Sequence, residues 1–95
     1  MSRPRRVGLP WYASEHYEAL RASLPDGSKL PLHYETWRIA TEQMEREVQR
    51  SGVEVVRVPV EPLTFTAWCA RTGTSGDGSG RARYAAEVVA GTNTA

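Results

Sequence analysis

The 95-residue chain carries 12 basic and 11 acidic side chains, a net charge of +1, with 40% hydrophobic and 24% charged residues. Length and composition are those of one small soluble domain, able to bury roughly 60–70% of its unfolded surface. The near-neutral charge excludes a global field that would draw in nucleic acid or an anionic membrane.

Eleven of the basic residues are arginine, and Lys29 is the only lysine. Arginine suits bidentate carboxylate and phosphate contacts. A single cysteine, Cys69, excludes an intramolecular disulfide and fits a reducing cytoplasm. The first twelve residues, MSRPRRVGLPWY, are basic but lack the apolar core of a secretory signal. No run reaches the roughly 18 apolar residues of a membrane span. A soluble cytoplasmic protein is expected.

Residues 1–10 read as a flexible basic arm with Arg3, Arg5 and Arg6, in which residues 5–9 can form a short edge strand. A first helix is expected from Ala13 or Ser14 to Ser23. Ser14 stands as its N-cap, and Tyr17, Leu20 and Leu24 recur along one side. Pro25-Asp26-Gly27 is turn chemistry and ends it.

The second helix is expected from Leu32 or His33 to Ser51, with Pro31 near its start and Gly52 as its left-handed stop. Tyr34, Trp37, Thr41, Met44 and Val48 form its apolar stripe. Glu35 with Arg38, and Glu42 with Arg46, are spaced to pair along its outer face. Ile39 points away from the stripe and is a candidate contact with another chain.

Val53 to Val60 is the one firm strand. Val56, Val58 and Val60 should face the helices, with Val53, Val55 and Arg57 on the other side. Pro59 cannot donate to a ladder, so the later half lies at an edge. A third helix follows from Pro62 to Thr72, stopped by Gly73. It is apolar on two sides, Leu63, Ala67 and Ala70 on one and Phe65, Trp68 and Cys69 on the other, a pattern that predicts deep burial. Residues 73–80, GTSGDGSG, read as a flexible glycine-rich loop. A fourth helix, Gly80 to Ala90, should pack Tyr84, Ala85 and Val88, and residues 91–95 are a tail.

The fold class is therefore α/β, mostly α, a single domain over residues 11–90 in the order α-α-β-α-α. The strand needs a partner, because unpaired backbone groups are costly to bury. Either the N-terminal segment supplies it, or a second copy pairs with residues 53–58 across a two-fold axis.

Chemistry-bearing groupings are sparse. His16, His33 and Cys69 lack metal-ligand spacing, so no metal or cofactor is expected. Cys69 lies late in its helix, away from the N-terminal end that stabilises a thiolate, and reads as structural. Amides at a helix N-terminus with Arg81 and Arg83 can hold phosphate, but the glycine-rich loop before them fails the Walker and dinucleotide patterns and reads as a plain flexible linker. Trp37 and Trp68 read as core, and Trp11-Tyr12 as a staple onto the second helix. An aromatic cleft with Trp11, Tyr12, Tyr34, Arg38 and Arg57 is the candidate binding site. Ile39, Val53, Val55 and Arg57 are the candidate interface.

Trp11-Tyr12, Tyr17-x-x-Leu20, Leu30-Pro31-x-x-Tyr34-x-x-Trp37 and Pro62-x-x-Phe65-x-x-Trp68-Cys69 together resemble a group of short bacterial proteins. The resemblance spans residues 11–86, and the paired Y-x-x-W and F-x-x-W-C motifs are its most specific part. It implies a small cytoplasmic bacterial protein and brings no activity, cofactor or catalytic residue. The expected function is a small interaction module, homodimeric and without catalysis. The alternatives are a nucleic-acid accessory protein using Arg3, Arg5, Arg6, Arg81 and Arg83, or a small-ligand protein or enzyme built on the aromatic cleft. Nucleic acid is not the expected partner, and no membrane is.

Overall fold

The N-terminal segment is the strand's partner. In the computed structural model, which describes residues 5–92, β1 (Arg6–Trp11) runs parallel to β2 (Glu54–Pro59), with Arg6 opposite Glu54 and Trp11 opposite Pro59. Between them lie α1 (Ser14–Ser23), a 3₁₀ turn (Gly27–Lys29) and α2 (Tyr34–Arg50). α3 (Pro62–Thr72) and α4 (Gly78–Thr92) follow β2. The architecture is a mostly helical α/β domain around a two-stranded parallel sheet.

Each strand is an outer strand on one side, and the hydrogen-bond phase places both strand prolines there. Glu54 N–H donates to the Arg5 carbonyl and Val60 N–H to the Trp11 carbonyl. Even-numbered residues of β2 therefore point their backbone groups inward, and Val55, Arg57 and Pro59 point theirs outward. By the same phase Gly8 and Pro10 of β1 point outward. Neither proline interrupts the ladder, because the donor each lacks would have faced away from it.

Alternation also fixes what covers each face. Val56 and Val58 face α4, where Val58 packs with Ala85 and Val89. Gly8 lies on the same face, and a Cβ there would stand 2.5 Å from the Ala85 carbonyl oxygen. The absent side chain is what lets α4 press onto β1. On the opposite face Trp11 and Arg57 meet α2, with the Arg57 guanidinium 3.7 Å above the Trp11 ring.

The main core is aromatic. Tyr12, Tyr17, Leu20, Trp37, Val60, Phe65 and Trp68 are buried together. Trp37 is its hub, 4.6 Å from the Tyr12 ring and 5.0 Å from Trp11 in an edge-on contact. Offset and edge-on rings of this kind add about 0.5–1.5 kcal/mol per pair beyond burial. Trp11-Tyr12 thus staples the first strand onto α2, as the sequence suggests.

Helix limits follow local chemistry, with some changes of role. α1 spans Ser14–Ser23, but Ala13 takes the cap position, so Ser14 is the first helical residue. α2 ends before Gly52, whose φ of 88° provides the left-handed stop. α3 runs from Pro62 to Thr72 and ends at Gly73, φ 69°, and Glu61 caps its start by accepting the Thr64 N–H at 2.6 Å.

Four packing expectations are corrected. Met44 is exposed and Glu45, at 8% exposure, takes the inward place, because Arg57 on β2 supplies the partner its carboxylate needs. Glu42 reaches Arg38 and Arg57, and not Arg46. α3 buries Phe65 and Trp68 but leaves Leu63 80% exposed, with Ala67 and Ala70 also in solvent. α4 begins at Gly78 and packs Arg81, Ala85 and Val89, while Val88 is exposed. A charged residue heads that stripe, which is why the apolar pattern alone selects Val88.

Candidate functional site

The glycine-rich stretch is held by two carboxylates. Asp77 caps α4, its Oδ1 accepting the Gly80 N–H at 2.9 Å and its carbonyl accepting the Arg81 N–H. Asp26, from the turn after α1, accepts the Gly78 N–H at 3.1 Å. Arg81 then grips Asp26 in a fork, Nη1 to Oδ1 at 2.7 Å and Nη2 to Oδ2 at 3.2 Å, and Nη1 also donates to the Gly76 carbonyl. Arg81 is only 5% exposed. The Arg81 guanidinium holds the Asp26 carboxyl below the usual carboxylate range. Burial raises the Tyr12 hydroxyl, and the nearby Arg81 charge offsets part of that rise.

These contacts answer two questions about phosphate. At the start of α4 the Gly78 and Gly80 amides already have carboxylate partners, and the Arg81 amide has the Asp77 carbonyl, which occupy the place an anion would take. Of the arginines grouped as a nucleic-acid surface, Arg81 is buried and paired, Arg6 lies 3.4 Å from Glu54, and Arg83 meets Glu87 and Thr74. Arg5 is exposed, and Arg3 lies outside the described residues.

The five residues of the expected cleft are brought near one another, but as packing. Tyr12 is buried, and Trp11 is covered by Arg57. Arg57 holds Glu45 through two bonds of 2.7 and 2.8 Å, which lower the Glu45 carboxyl. Arg38 holds Glu35 and Glu42, at 2.7 and 2.8 Å, and those carboxylates raise its own value. Glu42 joins the two arginines into one network across α2 and β2. Tyr34 lines a groove of about 270 Å³ with Tyr17, Arg21 and His33. The Tyr17 hydroxyl on its wall donates to the Pro31 carbonyl.

The metal candidates are dispersed. His33 lines that α1–α2 groove, Cys69 lines a separate one beside Phe65 and Pro25, and His16 lies near Glu61. Among the described residues, no three histidine, cysteine or acidic side chains stand close enough to hold a metal. Burial pushes the Cys69 thiol up, away from thiolate reactivity. No helix among the described residues is long and apolar enough to cross a membrane.

What stays open is surface on two elements. Val55 and Arg57 turn their outer backbone groups away from β1, and no third strand pairs with them among the described residues. Ile39 is 57% exposed on α2, and Val53 and Val55 are half-buried. A further opening lies between α3 and α4. It is a groove of about 540 Å³ lined by Thr64, Ala67, Trp68, Arg71, Tyr84, Glu87 and Val88. Trp68 and Tyr84 stand edge-on at 5.2 Å and both line it, while Leu63, elsewhere on α3, is 80% exposed. The α3 pattern carried this signal in the sequence: a helix apolar on both sides has one side left over once the core is filled.

Comparison of the chain with protein-family models, curated protein sequences and solved structures finds no match.

Proposed function

We propose that this chain is a small cytoplasmic interaction module, without catalysis, that self-associates. The observation that carries the reading is the uncovered side of α3. Leu63 is 80% exposed, and the apolar residues Ala67 and Ala70 extend the same side. A contiguous apolar stripe next to an aromatic-lined groove is the kind of surface that a contact with another chain covers. Sedimentation velocity from ~10 μM to ~1 mM spans the weak end that small interfaces occupy, and a mass rising toward a dimer is expected. A strict monomer throughout refutes the proposal.

A second surface is favoured by the outward backbone groups of Val55 and Arg57. Antiparallel pairing of β2 with its copy would set Val55 opposite the partner's Arg57. Pro59 withholds one donor from that ladder, which limits it to the first half of the strand.

A further inference from the structure

The uncovered side of α3 complements itself. We infer that a second copy seats there, its α3 antiparallel to the first across a two-fold axis between Thr66 and Ala67. This rests on the reading of the chain as self-associating and names the surface. Leu63 and Ala70 lie seven residues apart, about 10 Å along the helix, and are equidistant from that axis. The two-fold therefore sets Leu63, the largest projection on the face, against the partner's Ala70, and the reciprocal. Ala67 lies next to the axis, where a small side chain allows helix axes to approach to ~8 Å.

Charge agrees with the same register. Arg71 sits in the last turn of α3 and forms no ion pair among the described residues. Antiparallel packing brings it to the end of the partner helix that carries Glu61. Glu61 caps that end, its Oε2 accepting the Thr64 N–H, and its carboxylate also draws on Leu63 and the nearby His16, so the end carries negative charge. Arg71 of each copy then approaches the acidic end of the partner helix, outside the two reciprocal Leu63–Ala70 contacts. The two-fold also keeps both α3–α4 grooves, each with its Val88, on one lateral side of the helix pair. A parallel arrangement would set Arg71 against Arg71 and Leu63 against Leu63, opposing like charge and crowding the large side chains.

The test uses the full chain. Leu63→Glu changes a side chain that is 80% exposed, so the fold persists while the contact gains two buried charges. Sedimentation velocity should show the wild type dimerising and Leu63→Glu shifted at least tenfold toward monomer. Ala67→Cys in a Cys69→Ala background places one thiol per copy beside the axis, within the roughly 4.4–6.8 Å Cα separation a disulfide spans. It should cross-link to dimer under mild oxidation, while Ala86→Cys on α4 in the same background does not. Val55→Pro removes an outward N–H on β2 and should leave dimerisation unchanged. If dimerisation survives Leu63→Glu and is lost in Val55→Pro, the copy sits on the β2 edge. That outcome overturns this inference and leaves self-association standing. A monomeric wild type overturns both.

Discussion

Arg81 is the side chain whose removal should cost this fold most per atom. It is nearly sealed from solvent, and its fork spans Asp26 and the Gly76 carbonyl, joining the turn after α1 to the first turn of α4. Replacing Arg81 with Met keeps the aliphatic stem and deletes three donated hydrogen bonds. Asp26 is then left in a partly buried site with the Gly78 N–H as its remaining cross-chain donor. Breaking one side of a buried pair costs about 3–5 kcal/mol, and because a quarter of the Asp26 side chain is exposed we expect the lower end, about 3 kcal/mol. A domain of this size is stable by roughly 5–14 kcal/mol, so the loss is large. Urea denaturation at pH 7 should show it as a fall in midpoint at unchanged slope. Asp26→Asn in the Arg81→Met background should cost little more, giving a coupling of about 2 kcal/mol in the double-mutant cycle. The pH dependence has a fixed sign. Asp26 titrates lower in the folded than in the unfolded chain, so its stabilisation is full above the ordinary aspartate value of about 3.9. It is lost as pH falls through the lowered folded value. The gap between wild type and Arg81→Met should therefore narrow on acidification. A cost under about 0.5 kcal/mol at pH 7, or a gap that widens in acid, refutes the reasoning.

Gly8→Val should destabilise by about 1–3 kcal/mol in urea, because its Cβ would meet the Ala85 carbonyl at 2.5 Å and push α4 off the sheet. A change within 0.5 kcal/mol would show that α4 tolerates the shift. Trp37→Ala should cost about 3–5 kcal/mol and abolish much of the near-ultraviolet circular dichroism, since four other aromatic rings pack on it. Retention of that signal would mean the rings order without their hub. Glu45→Gln should cost about 1 kcal/mol, held down by the 43% exposure of Arg57. Its effect should fade below the ordinary glutamate range, because Arg57 lowers the Glu45 carboxyl in the folded state and that stabilisation disappears on protonation. An effect that is unchanged at pH 3 contradicts this.

Local chemistry was legible and long-range pairing was not. Pro62 and Gly73 delimit α3 at the residues the sequence marks, and Gly52 stops α2, because caps and positive-φ glycines act within one turn. Trp11-Tyr12 docks on Trp37 as expected from adjacency to the first helix. The start of α4 was readable too: Asp77 three residues before Gly80 is an N-cap spacing, masked by the glycines around it. Glu45 could not be picked as the buried charge, because nothing in the helix distinguishes it from Glu42 until Arg57 is placed against it. Asp26 and Arg81 are 55 residues apart, and their meeting depends on α4 crossing β1. The leftover apolar side of α3 was legible as a pattern, but its outcome, exposure instead of burial, follows only once Phe65 and Trp68 are seen to fill the core.

The placement of the two strand prolines bears on which open surface a partner uses. A two-stranded sheet is stable only when helices cover it, and here α4 and α2 do so. Its outer edges would still invite a further strand. Pro10 and Pro59 each stand where the missing N–H faces outward, which is a common way for edges to resist growth. Every outward donor they remove weakens strand addition and leaves β1–β2 pairing intact. α3 bears no corresponding protection: its outer side offers Leu63, Ala67 and Ala70, with Arg71, which forms no ion pair among the described residues, at the end. If association ran through the sheet, the prolines would oppose the contact and the leucine would be an unmanaged liability. If it runs through α3, both features act in the same direction. Replacing Pro59 with Val should then leave the monomer–dimer balance of α3 unchanged while adding a second, strand-mediated association at high concentration. That second association would appear as species beyond the dimer in sedimentation, and Val55→Pro should remove it.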